Sequence, residues 1–341
     1  MGFVQRCAVA GRSILMVAAA GLALSACAPM YSATGVLLSG YAKDNVVPYV
    51  QASKDTDLAT CGTALGQSQL LGSFSRVMDD PDYLMFYNSL LAGYCADGYA
   101  AEANLRYLRA SQSGNVEEAT DARIAEKRWH AVAARRRYTA YRHLVETYGR
   151  PGVGGCPDLD DESDQSTYLI GLVTVLQAVQ SDLLSGSQVG IPRDLAVNAG
   201  RAAKCLDNDR WWGVPDAVQA TVWSFVPGTT PEGKTPWQVF HKSAAQAKAS
   251  GMRLALALYG IAAENQGRTD ELQRAIAAAA AIRGDQAPSE YVLVDRLAVA
   301  QLRHLSDKLW TEAEGHRTPI DGLGQFPGES SSPKPDTKGL L

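Results

Sequence analysis

Apolar residues recur every three or four positions along almost the whole of this chain, and that spacing is the feature that most constrains its fold. A clear example begins at Asp55 or Thr56, where apolar residues follow helical steps to about Met78. Alanine and leucine are abundant, and runs of β-branched residues with a period of two are rare. The sequence therefore predicts an all-α fold.

The same spacing predicts a series of helices joined by short turns. They are expected over 32–50, 55–78, 83–96 or on to 110, 116–148, 167–184, 193–206, 215–225, 237–248, 252–265, 270–282 and 289–314. Short turns favour antiparallel helical hairpins. Leu90–Leu108 and Leu254–Ile276 each place Ala and Tyr on one helix and Ala on the next, which is typical of tetratricopeptide-like (TPR-like) pairs. We expect one compact α-solenoid-like body.

The N-terminus has the pattern of a lipoprotein export signal. Arg6 and Arg12 precede an uncharged apolar run over 13–26, which is too short for a permanent span of about 20 residues. Leu24-Ser25-Ala26-Cys27 resembles a bacterial lipobox. We expect cleavage before Cys27, whose thiol carries acyl chains such as palmitate, and two or three chains anchor a protein stably. The alternative is an ordinary secretory signal.

The chain after Cys27 is expected to be a tethered periplasmic body. Ala28 is not an acidic retention residue, which favours the periplasmic face of the outer membrane over the inner membrane. No other stretch is expected to cross a bilayer. The predicted organisation is a signal peptide (1–26), a lipidated N-terminus and first helix (27–54), a helical domain (55–314) with halves 55–148 and 165–314 around a linker (149–164), and a disordered tail (315–341).

The cysteine count predicts two disulfides. Cys7 leaves with the signal and Cys27 is lipidated, so an even number remains for an oxidising compartment: Cys61, Cys95, Cys156 and Cys205. Four cysteines allow three pairings, and antiparallel hairpins favour Cys61–Cys95 and Cys156–Cys205. Four buried thiols are the alternative.

Composition and motifs argue against several functional classes. Removal of the signal leaves 30 basic against 36 acidic residues, so no electrostatic footprint for nucleic acid exists. No GK[ST] phosphate loop, GxSxG elbow or HExxH motif is present. The acidic residues of 158–164 lack the glycine and terminal glutamate of a calcium loop. We expect no metal, no cofactor and no enzymatic activity.

Two groups of residues are candidates for binding. The first is an aromatic cluster in an irregular crossing between helices, which could line an apolar ligand pocket or simply form a satellite core: Trp211, Trp212, Trp223, Phe225 and Trp237. The second is the run Arg135, Arg136 and Arg137, which spreads around its helix and could dock an acidic partner, face solvent or form ion pairs. His130 and His143 are expected to be partly exposed helix residues.

The order of several segments resembles the T-component lipoproteins of TRAP transporters, the TatT family. The resemblance runs from about Asp55 to Glu314 through these segments: DDPDYLMFYNSLLAGY, KRWHAVAARRRYTAYRHLVETYG, LDNDRWWGVPDAVQATVWSFVP, PWQVFHKSAAQAK, MRLALALYGIAAENQGRTDELQRAI and DRLAVAQLRHLSDKLW. PGTTPEGKTP stands where that family has a glycine-rich turn. The resemblance implies TPR-like hairpins around an apolar pore, assembly with a periplasmic solute-binding protein, and no catalytic residues.

The expected function is therefore non-enzymatic binding in TRAP-type solute uptake, with a small apolar ligand, a solute-binding partner, or both. A homo-oligomer remains open. One alternative is a TPR-like scaffold for envelope assembly. The other is an α-helical hydrolase, which needs two carboxylates facing one cleft.

Overall fold

The computed structural model describes residues 33–56, 58–64, 66 and 82–328, and every regular element in those ranges is a helix. This confirms the all-α prediction. The signal peptide, Cys27 and most of the helix predicted over 55–78 lie outside the described residues, so their predictions stay as stated.

The first described helix, α1, covers residues 33–51. It contains a π-helical turn, Ala42–Val46, and ends as the α-helical stretch Val47–Gln51 with Pro48 near its start. Proline lacks an amide hydrogen, but it is tolerated in the first turn of a helix. A short π-helical segment, Leu58–Thr63, follows and precedes the undescribed stretch.

The two longest helices form an antiparallel hairpin. Helix α2 is Asp82–Gln112 and runs without interruption through Gly98, and α3 is Val116–Tyr148. The turn between them holds because the side chain of Asn115 accepts a hydrogen bond from the Glu118 amide at 3.1 Å, capping α3. This hairpin contributes nine of the 25 residues that line the candidate site.

Seven further helices complete the body. They are α4 (Glu162–Ser185), α5 (Asp194–Ala202), α6 (Val214–Phe225), α7 (Pro236–Ser250), α8 (Leu254–Asn265), α9 (Thr269–Ala280) and α10 (Val292–Glu314). Short 3₁₀ turns, Ala203–Cys205 and Ser289–Tyr291, follow α5 and precede α10. The hydrophobic spacing predicted each of them to within a few residues.

Helix α4 is the centre of the core. By length and composition it could cross a membrane, contrary to the expectation that no stretch after the signal would, yet 78% of its apolar window is buried in the body. It packs against α3 and α5, and Leu172 and Val175 are almost completely buried. It is therefore apolar all round because it is a core helix.

The last helix packs back against the first hairpin. Helix α10 contacts α2 as well as α8, and one apolar cluster joins Ala59 and Leu91 to Leu293. The linker over 149–164 does not separate independent halves, because α3 and α4 pack along each other across it. The described helices thus pack into one compact body. Whether their arrangement is a TPR-like solenoid stays a prediction.

Both predicted disulfides are present. Cys61 is bonded to Cys95 and Cys156 to Cys205. The first joins the segment after α1 to α2. The second joins the stretch between α3 and α4 to the 3₁₀ turn that follows α5.

The prediction of a disordered tail is wrong for residues 315–328, and residues 329–341 lie outside the described residues. Phe326 is buried in the main core, and the indole Nε1 of Trp310 donates to the Gln325 carbonyl at 3.1 Å. The Thr318 amide donates to Asp307 at 3.0 Å. Residues 315–328 therefore pack on the body in spite of their Gly and Pro content, because they contribute apolar contacts and have their backbone groups paired.

Candidate functional site

A cavity of about 490 Å³ lies among α2, α3, α4, α8 and α10, with part of one wall formed by the segment after α1. Its polar lining includes Asn104, Glu126, His130, Arg137, Gln177 and His304. Leu184, Ile261 and Leu305 supply apolar lining. We call it the polar cavity, because charged and amide side chains from five helices converge on it.

The ion pair between Arg137 and Asp97 dominates one side of the polar cavity. Arg137 is almost completely buried; its Nη1 donates to Asp97 Oδ1 and to Ser181 Oγ, both at 2.9 Å. Nη2 donates to the second carboxylate oxygen, and the guanidinium lies over the Tyr94 ring. Burial disfavours the guanidinium charge, but Asp97 more than compensates, so the pKa of Arg137 is raised.

A second polar group lies where α2 faces α3. Asn104 Nδ2 donates to Glu126 Oε1 at 3.2 Å, and Arg123 Nη1 donates to the same carboxylate at 2.8 Å. His130 lies one turn further along α3, with its Nε2 3.9 Å from Glu126. Burial lowers the pKa of His130, so its imidazole is neutral at pH 7.

The remaining charged wall belongs to α8 and α10. Lys308 donates to the Glu264 carboxylate. Nearby His304, one turn earlier on α10, has its pKa lowered to about 4, first by burial and then by the Lys308 charge. The imidazole of His304 is therefore also neutral near pH 7.

Several polar atoms of these walls have no hydrogen-bond partner. Among the described residues seven buried side-chain nitrogen or oxygen atoms are unpartnered, and four of them belong to side chains that line the polar cavity: Asn104 Oδ1, His130 Nδ1, Arg137 Nε and Gln177 Oε1. Each of these atoms is itself shielded from solvent, so a ligand in the cavity reaches it only when its side chain rotates. Gln177 does use its Nε2, which donates to the Tyr94 hydroxyl at 3.0 Å. Unpaired buried polar groups are rare and need a partner such as a ligand or ordered water.

The sequence-predicted aromatic cluster lies against the main core. Trp211 is 1% exposed, and its Nε1 donates to Gln165 at 3.2 Å. Trp212, Trp223, Phe225 and Trp237 are partly buried and pack on the main core. None of the five lines the polar cavity. Trp211 is therefore a core residue, as the satellite-core alternative expects, whereas a ligand pocket lined by the other four rings stays a prediction.

The arginine run does not form one docking surface. Arg137 is buried in the polar cavity, and Arg136 donates to the Ala92 carbonyl at 2.7 Å across the hairpin. Only Arg135 is exposed. Successive residues point about 100° apart around a helix, so three neighbours cannot share one face.

Sequence analysis missed the polar cavity, although helical spacing contained a signal for it. Asp97, Ala101 and Asn104 lie on one face of α2, and Gln301, His304 and Lys308 recur at three- and four-residue steps on α10. Polar residues at the spacing expected of a buried stripe indicate a buried polar site. Over the described residues no group of three or more His, Cys, Asp or Glu side chains could hold a metal ion.

Comparison of the chain with known protein families, with curated proteins and with solved structures finds no match.

Proposed function

We propose that this chain is a lipid-anchored, non-enzymatic periplasmic protein that binds an uncharged, hydrogen-bonding small molecule in the polar cavity. The concentration of unpartnered buried polar atoms in that one cavity is the observation that carries the proposal. Each such atom costs about 1–3 kcal/mol when it is unpaired. A ligand recovers that cost for each such atom that a side-chain rotation turns into the cavity.

The charges in the cavity favour an uncharged ligand. Asp97 is paired with Arg137, Glu264 with Lys308, and Glu126 with Arg123. A charged ligand would have to compete with one of these pairs. The unused capacity is hydrogen bonding by amide oxygens, an imidazole nitrogen and one guanidinium N–H. Much of the lining is apolar, including Leu184, Ile261 and Leu305, so such a ligand would also have apolar faces, and the small apolar ligand expected from the sequence stays the alternative.

The same pairs favour binding over hydrolysis. A hydrolase would need one carboxyl group free to donate a proton and another free to attack or to activate water. Each of the three carboxylates in the cavity instead accepts from a cation. A scaffold without a ligand would have no use for a cavity of this size lined by unpartnered groups.

The role in TRAP-type uptake is a further part of this proposal. It is supported by the segment order between Asp55 and Glu314 and by the Leu24–Cys27 lipobox. In this role the protein is anchored through Cys27 at the periplasmic face of the outer membrane and meets a solute-binding protein at raised effective concentration. We expect a gene for such a solute-binding protein beside the gene for this chain, and we expect the two proteins to co-purify. If there is no such gene and no solute-binding protein co-purifies, this role is contradicted.

The membrane anchor has its own test. Wild-type protein purified from membranes should carry acyl chains on Cys27, measured by mass spectrometry of the N-terminal peptide. Cys27→Ser, exported with an ordinary cleavable signal in place of residues 1–26, should lose them and be held by membranes much more weakly than the wild type. A Cys27→Ser protein that still fractionates with membranes as the wild type does would contradict the lipoprotein assignment.

Ligand binding can be tested with matched variants. Gln177 and Asn104 line the cavity, whereas Asn88 is equally buried, has an unpartnered Nδ2 and lies outside it. We expect native mass spectrometry of protein from its own cells to show a bound small molecule. Gln177→Leu and Asn104→Leu should lose it, and Asn88→Leu should retain it.

A panel of probes then distinguishes the ligand class. A neutral disaccharide, a dicarboxylate and a long-chain fatty acid are added to ligand-free protein, and the melting temperature is measured. Stabilisation by the neutral compound alone supports the proposal. Retention of the fatty acid alone, unaffected by Gln177→Leu, would contradict it and support an apolar pore.

A further inference from the structure

The start of α1 exposes a set of apolar side chains. Val36 is 57% exposed, Leu37 74% and Tyr41 62%, and Leu38 is also exposed. Leu37 and Leu38 lie four and three residues before Tyr41, so they neighbour it on the helix surface. We call Leu37, Leu38 and Tyr41 the N-terminal apolar face, and Val36 is exposed beside it. Contiguous exposed apolar residues mark an interaction surface more often than single ones do.

The other side of α1 is fixed to the body. Val47 is 4% exposed and packs with Phe86 and Leu144, and Gln51 Nε2 donates to the Tyr87 hydroxyl at 2.8 Å. The N-terminal apolar face therefore belongs to a helix that is held in place at its far end.

We infer that the N-terminal apolar face lies in the surface of the lipid bilayer. This rests on the proposed acylation of Cys27, which is six residues before residue 33. Six extended residues reach at most about 20 Å, so the lipid tether holds this face at the membrane. Leucine gains by leaving water, and tyrosine has an apolar ring with a polar tip, which suits the membrane interface.

The charges around α1 predict how this contact is made. Lys43 is engaged by Asp161 at 3.3 Å and Asp164 at 3.0 Å on the body, and Asp44 is exposed. The helix therefore offers no free cation for anionic headgroups. Insertion of apolar side chains carries the contact, so it should depend little on salt or on anionic lipid.

The contact also orients the ligand site. From α1 the chain leads to Thr56, Thr60 and Cys61, which line the polar cavity, and Cys61 is bonded to Cys95 on α2. A bilayer-bound α1 thus holds the cavity at a set position relative to the membrane, in place of a body that swings freely on its tether.

The test uses the unacylated mature chain, with Cys27→Ser and an ordinary cleavable signal in place of residues 1–26. Flotation with phosphatidylethanolamine and phosphatidylglycerol vesicles then measures membrane binding by the protein without any contribution from acyl chains. We expect measurable binding, little change in high salt, and a loss of about tenfold or more in Leu37→Asp/Tyr41→Asp, since each replaced side chain contributes about 1 kcal/mol or more. Ile320→Asp, at an equally exposed apolar residue, should bind as the parent does.

Several outcomes would overturn the inference. They are no flotation of the parent, equal flotation of Leu37→Asp/Tyr41→Asp, or dimerisation that these substitutions abolish, which would assign the face to a second copy. Circular dichroism and intact disulfides check the fold. Ligand retention by the same proteins, and acylation of wild-type Cys27, are measured separately, so failure of the proposed function is distinguishable from failure of the membrane contact.

Discussion

A Cβ atom added to Gly93 would lie 2.9 Å from Cγ of Arg137, so the lack of a side chain at Gly93 makes room for the buried guanidinium. Arg137 crosses from α3 over this position of α2 and pairs with Asp97 one turn further along. The close approach of the two helices and the charge pair in the polar cavity are therefore parts of one arrangement.

This contact predicts opposite effects for two alanine substitutions on α2. Gly93→Ala should destabilise the protein by about 1–3 kcal/mol, because the buried Arg137 has little room to move. Gly98→Ala, where no atom lies within 4 Å of the added Cβ, should stabilise it by about 0.5–1 kcal/mol through helix propensity. Urea unfolding measures both. Equal effects would contradict the packing argument.

The two disulfides should contribute similarly to stability but differently to binding. Their cysteines are 34 and 49 residues apart, so loop entropy assigns each about 4 kcal/mol. Only Cys61 and Cys95 line the polar cavity. We expect Cys61→Ser/Cys95→Ser to release the ligand and Cys156→Ser/Cys205→Ser to retain it, as measured by native mass spectrometry below the melting temperature of both. Ligand loss in both variants would refute the distinction.

The buried pair of Arg253 and Asp295 should be far more important than the surface pair beside it. Asp295 accepts from the Arg253 amide at 2.7 Å and from its Nη1 at 2.5 Å, and both side chains are buried. Asp295→Ala should cost about 3–5 kcal/mol, because it leaves a buried charge without a partner. Asp285→Ala removes the partner of Arg296 from a more exposed pair and should cost about 1 kcal/mol or less. Denaturant titration measures the free energy of unfolding of both variants. Similar losses would contradict the prediction that burial makes the Arg253–Asp295 pair more important.

His304 predicts a loss of stability in acid. Its folded-state pKa of about 4 lies below the model-peptide pKa of about 6.5. As the pH falls, the histidine is therefore protonated in the unfolded chain before it is protonated in the folded one. The free energy of unfolding decreases by about 3 kcal/mol between about pH 6.5 and about pH 4. His304→Gln should lose less stability over that range. His316→Gln, at an exposed histidine outside the cavity, is the control; an unchanged pH profile in His304→Gln would contradict the prediction.

Local pattern was sufficient for the helices and for the cysteine pairing. Periodicity placed α3 at Val116–Tyr148, and antiparallel neighbours made Cys61–Cys95 the natural pair. It was not sufficient for the site. The sequence left open whether Trp211 lines a pocket or is core, and whether Arg137 faces solvent, docks a partner or forms an ion pair; both residues are buried, and Arg137 is paired with Asp97. Sequence spacing could not decide between these alternatives, because burial is set by the helix packed opposite each residue.

The sequence was enough to establish an all-α chain, to place most of its described helices within a few residues and to favour the observed cysteine pairing, because hydrophobic period and hairpin connection are local properties. Only the tertiary structure decided that α2, α3, α4, α8 and α10 direct their scattered polar residues into one cavity. Each of those residues is one of many on its own helix. They become a site only through contacts between helices far apart in the chain, which no local pattern specifies.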